Sequence, residues 1–158
     1  MTTKSDFTED EWARLVRAPL VAGLAISLAD PGGPIEATKE SMASLKTATN
    51  PPSREQLLAE VALEVQAMAQ ARKNPLGGFK VTKESAPGEQ VLDELRETQG
   101  IVAAKATTEE KAAFGRWLVA SAQAAAEAAK EGGFMGFGAE QVSEGEQAML
   151  DRVRDIGS

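Results

Sequence analysis

The sequence predicts an all-α fold, a single-domain bundle of five or six helices. Three observations carry that expectation. Ala supplies 28 of the 158 residues, while aromatic residues make up 4%. Side chains that small suit closely packed helices better than a sheet. Apolar residues also recur at helical spacing along most of the chain, and Ser/Thr-x-x-Glu/Gln starts stand at Thr8, Ser53, Thr107 and Ser143. The length suits one domain of ordinary size, residues 1–158.

The first helix opens at Thr8-Glu9-Asp10-Glu11, where hydroxyl and carboxylate satisfy backbone donors reciprocally. Phe7 and Trp12 occupy the staple positions around that start. Leu15, Val16, Leu20, Val21, Leu24, Ile26 and Leu28 make most of the helix circumference apolar, which marks a central helix. Pro19 predicts a kink or restart inside it. Asp30-Pro31-Gly32-Gly33 ends it. Pro34 then favours a second helix, Ile35 to Ala48, with a thin stripe of Ile35, Met42 and Leu45. Asn50-Pro51-Pro52 is a break. Ser53-Arg54-Glu55-Gln56 starts a third helix to about Lys73, with Leu57, Val61, Val65 and Met68 on one face.

Residues 74–90 are rich in Gly, Pro, Lys and Ser and read as a mobile surface loop. They leave room for a turn or a little extended pairing at Phe79-Lys80-Val81. A fourth helix is expected from about Glu89 to Ala106, with Val91, Leu92, Leu95 and Val102 inward and Gly100 a weak point. Thr107-Thr108-Glu109-Glu110 caps a fifth, which reaches Glu131. Phe114, Trp117, Leu118 and Ser121 begin its face, and Ala122 to Ala129 continue it as a surface that a neighbouring backbone can approach closely. Gly132-Gly133 closes that helix. Ser143-Glu144-Gly145-Glu146 opens a sixth, with Met149, Val153 and Ile156 inward. Thr8-Glu9 and Gly32-Gly33 recur at one constant offset as Thr108-Glu109 and Gly132-Gly133, an echo expected of two related helical hairpins.

There is no Cys, no His and no Tyr. Disulfides, thiolate or imidazole metal ligands, and Ser-His or Cys-His catalysis are therefore excluded. The 17 basic and 24 acidic residues give a net charge of −7, which argues against nucleic acid and anionic membranes as partners. The N-terminus lacks a basic stretch followed by an apolar one, and the longest apolar run, Ala18 to Ala29, is short for a bilayer. A cytoplasmic protein is the expectation.

Carboxylates are the strongest ligands left. Asp30 and Glu36 flank one Gly-Gly loop; Glu131, Glu140, Glu144 and Glu146 flank the other. Such groups suit calcium or magnesium, although the spacing is not that of an EF-hand and acids also serve helix starts. The run Gly132 to Gly138 follows a helix and lacks the Lys-Ser/Thr of a phosphate loop. Its Phe134, Met135 and Phe137 either plug the end of the bundle or form an apolar patch that receives a partner. Lys73, Lys80 and Lys83 read as loop solvation, Arg14, Arg17 and Arg116 as partners for the surplus acids, and Trp12 and Trp117 as core anchors.

The stretch Ala125 to Gly138, followed by Val142-Ser143-Glu144-Gly145-Glu146, resembles a group of uncharacterised bacterial helical proteins. The apolar helix, acidic Gly loop and Ser-x-x-Glu start also resemble the TerB-like tellurite-resistance family over roughly Val21 to Met42 and Ser121 to Val153. That likeness implies an all-helical fold of two related halves, acidic metal-binding positions and a place in stress-response complexes. Asp30, Glu144 and Glu146 sit at comparable positions. The expectation is a non-catalytic protein that works through a protein partner or as a homo-oligomer, with Phe134, Met135 and Phe137 as the contact and no cofactor. The alternative is a TerB-like binder of calcium or magnesium at Asp30, Glu144 and Glu146.

Overall fold

Helix formation follows the local signals at the starts marked by Thr8 and Thr107. The computed structural model describes residues 2–29, 42–74, 76, 79–82, 86–131 and 144–157. A single 3₁₀ turn, Lys4–Asp6, precedes α1, Glu9–Ala29. Residues 42–48 form α2, the described part of the helix expected from Ile35. Then come α3 (Gln56–Gln70), α4 (Pro87–Lys105), α5 (Thr108–Glu131) and α6 (Glu144–Gly157). The fold is an all-α bundle, with no strand among the described residues.

The capping box of α1 forms as expected. The Thr8 N–H donates to Glu11 Oε1 at 2.9 Å, and the Glu11 N–H donates to Thr8 Oγ1 at 3.1 Å. Phe7 and Trp12 meet with ring centroids 5.9 Å apart, so the staple forms too. The helix runs unbroken through Pro19, which is buried. The start of α3 departs from expectation. Its N-cap is Glu55, with no side-chain cap bond, and Ser53 Oγ is buried with no hydrogen-bond partner. The Leu57 N–H donates instead to Glu110 Oε2, 3.3 Å away on α5. A remote carboxylate replaces the local box. Helix α4 begins earlier than expected because Pro87, with its fixed φ, takes the first turn. Gly100 does not split it.

The described residues between α3 and α4 are held more closely than a free loop. Leu76, Phe79 and Val81 pack against the core. The Thr82 N–H donates to Gln90 Oε1 and Gln90 Nε2 donates to the Thr82 carbonyl, both at 2.8 Å. Arg17 lies 5.7 Å from the Phe79 ring centroid, within cation–π range.

The core sits around α1 and α5, whose pairing is the most extensive in the bundle. Helix α4 packs on α1, and α6 on α5. Trp117 and Phe114 are fully buried and meet edge to face at 5.9 Å. Trp12 is buried as well. Small residues set the spacing. Ala122, Ala125 and Ala126 are fully buried, and a Cβ placed on Gly23 of α1 would lie 3.8 Å from that of Ala125. A Cβ on Gly115 would fall 2.0 Å from the Gly157 carbonyl oxygen, so α5 and α6 touch backbone to backbone. Helix α1 is long and apolar enough to cross a membrane by length and composition, and 56% of that window is buried inside the bundle.

Candidate binding cleft

A concavity lies where α1, α2 and the end of α3 meet. Residues one and two turns apart on α1 (Leu20, Gly23, Leu24 and Ser27) supply one wall. Ser44 and Leu45 of α2 and Ala69 of α3 face them, and Leu76 completes an apolar lining of about 520 Å³. Gly23 makes this geometry: a Cβ there would lie 1.8 Å from Ser44 Oγ, so only Gly lets α2 seat against α1. The volume and lining fall in the range of sites that take small organic molecules.

The rim is basic. Helix α3 ends in a Schellman motif, in which the Lys73 N–H donates to the Met68 carbonyl at 2.8 Å and the Arg72 N–H to the Ala69 carbonyl at 3.1 Å. That motif needs a left-handed residue, usually Gly. Here it is Arg72, with φ of 59°, the single non-Gly residue of positive φ among the described residues. Arg72, Lys73 and Asn74 all line the cleft, and neither Arg72 nor Lys73 forms a salt bridge among the described residues.

The charges elsewhere in the bundle mostly tie helices together. Arg17 donates to Glu94 Oε1 through Nε at 3.0 Å and Nη2 at 2.6 Å, and both side chains are largely buried between α1 and α4. Arg14 joins Glu97 in the same cluster. Arg116, expected to pair similarly, is exposed and forms no salt bridge among the described residues. Arg152 of α6 reaches Glu89 of α4, and that ion pair holds the Glu89 carboxyl below its usual range. The Glu64 carboxyl is held low chiefly by the Lys4 ammonium, with Trp12 Nε1 also donating to it at 3.4 Å.

Glu110 is the most heavily used acid. It is 3% exposed, yet it accepts from the Thr107 N–H at 3.1 Å, the Thr2 N–H at 3.4 Å, the Leu57 N–H at 3.3 Å and the Thr2 hydroxyl. Burial pushes its carboxyl up; the hydrogen bonds from Thr2, Thr107 and Leu57 outweigh it and leave the group below its ordinary value. Its cap role on α5 is visible in the sequence, while its tie to α3 and the N-terminal segment is not. This carboxylate is fully engaged with backbone donors and so serves structure.

The residues singled out from sequence fare unevenly. Glu144 is exposed and Glu146 is buried on α6. The start of α6 lies against the end of α1, since a Cβ on Gly145 would be 3.1 Å from the Ala29 carbonyl oxygen. Asp30 lies outside the described residues, as do Phe134, Met135 and Phe137. Among the described residues no three acids group as a metal site would require. The cleft itself was missed. Its signals were Gly23 within an otherwise apolar helix and the basic pair Arg72-Lys73 at the end of α3. Comparison with family models, curated proteins and solved structures finds no match to this chain.

Proposed function

We propose that this chain is a non-catalytic binding protein whose working surface is the cleft between α1, α2 and the end of α3. The single observation that carries the reading is an apolar cavity of about 520 Å³ whose rim holds two basic side chains outside any described ion pair. Supporting it, two of the three described buried acids, Glu94 and Glu110, are engaged by Arg17 and by backbone donors, not poised for proton transfer; the third, Glu146, lies on α6 and does not line the cleft. In this reading α1 is the core helix of a cytoplasmic protein, supported by its buried share and by the pairing of Arg14 and Arg17.

An uncharged apolar dye such as Nile red tests the binding claim. Saturable one-to-one binding, abolished by Leu24→Glu with helicity retained, supports it. Absence of saturable binding, or binding that survives Leu24→Glu in the folded protein, refutes it.

A further inference from the structure

The cleft pairs two unlike surfaces. Its wall is built from Leu20, Leu24, Leu45 and Leu76, which offer only apolar contact. Its rim brings Arg72, Lys73 and Asn74 together on one short stretch of backbone. The protein carries a net charge of −7, and Lys4, Arg14, Arg17, Arg96, Lys105, Arg152 and Arg154 are tied to carboxylates. At this rim neither Arg72 nor Lys73 forms a salt bridge among the described residues, and Lys73 acts on the Glu64 carboxylate only at longer range. The Asn74 side-chain oxygen is occupied, accepting from the Leu76 N–H at 3.0 Å, which turns its amide N–H₂ toward use as a donor.

Position 72 adds a separate observation. A Schellman motif is most comfortable with Gly at its left-handed residue, and an Arg there is strained at φ 59°. Gly would terminate α3 as well and would carry no charge. The guanidinium therefore stands here at a backbone cost, at the mouth of the cavity.

Resting on the binding reading above, we infer that the cleft takes an amphipathic organic monocarboxylate. The hydrocarbon body lies along the α1 and α2 walls, where its burial drives binding. The carboxylate sits at the rim, where Arg72 offers a planar fork of donors and Lys73 a second positive charge. Ser44, 3% exposed in the wall, limits how deep a purely apolar group can reach without burying its hydroxyl against carbon.

Calorimetric titration with decanoate below its micelle concentration tests the inference, with decan-1-ol, acetate and decylamine as controls. Decanoate is expected to bind saturably, decan-1-ol about tenfold more weakly, and acetate and decylamine not measurably, as the loss of a charged hydrogen-bonding partner implies. Arg72→Gly relieves strain and so keeps the fold. It is expected to reduce decanoate affinity about tenfold, to the level of the alcohol, while leaving the alcohol unchanged. Equal binding of acid and alcohol, or decanoate affinity unaltered in Arg72→Gly, overturns the carboxylate and leaves the apolar cleft standing. Failure of decanoate, the alcohol and Nile red alike overturns both readings.

Discussion

Removing the Glu110 carboxylate should loosen three parts of the bundle at once. Glu110→Ala strips the acceptor from the N–H groups of Thr2, Leu57 and Thr107 and from the Thr2 hydroxyl. The Thr2 and Leu57 N–H bonds are long, at 3.4 and 3.3 Å, so they count for less than the Thr107 bond and the Thr2 hydroxyl bond. At about 1 kcal/mol for each well-formed bond and less for the long ones, the sum is about 3 kcal/mol. For a chain of this size that corresponds to a fall in Tm of about 6–12 °C. Glu110→Gln keeps one oxygen and the shape, and should lose about half as much. Urea unfolding followed by circular dichroism reads both. The pH dependence carries a second signature. The folded carboxyl lies below its ordinary value of 4.5, so its contribution is present above that value and is lost as pH falls through the lower folded value. The acid limb of the stability curve should be shallower in Glu110→Ala than in the wild type. A loss under about 1 kcal/mol, with an unchanged acid limb, would refute the argument that this carboxylate caps α3 from a distance.

Three further substitutions follow from backbone geometry. Arg72→Gly should raise stability by about 0.5–1 kcal/mol, because Gly adopts φ 59° without steric penalty; a lower urea midpoint would contradict the strain. Gly100→Ala should stabilise by about 0.5–1 kcal/mol, since the new methyl meets nothing within 4 Å on an exposed part of α4. Gly115→Ala should cost about 2–3 kcal/mol, because its Cβ would strike the Gly157 backbone; equal midpoints for the two Ala variants would contradict the α5–α6 contact.

The parts of this fold that were legible are those written in neighbouring residues. Thr8 and Glu11 are three apart, as are Thr107 and Glu110, and both boxes close in the structure. The apolar period of α1 and the small side chains of α5 place these helices at the centre for the same reason. Ser53 looked equally good as a cap and failed, because Glu110 lies far along the chain and nothing local announces that it reaches Leu57. Phe79 and Val81 stand among loop residues, and their packing against the core is a tertiary contact that no local pattern announces. The cleft was illegible for the same physical reason. Its lining comes from three separate segments, and its rim depends on an Arg in a conformation for which sequence rules expect Gly.

Amide chemical-shift mapping of the labelled protein during titration with decanoate tests the claim that this chain works by binding at one cleft. The perturbed amides should be those of Leu20 to Ser27, Ser44 and Leu45, Ala69 to Asn74, and Leu76, with saturation at one equivalent. Perturbations centred on α4 or α6, or none at all, would contradict it.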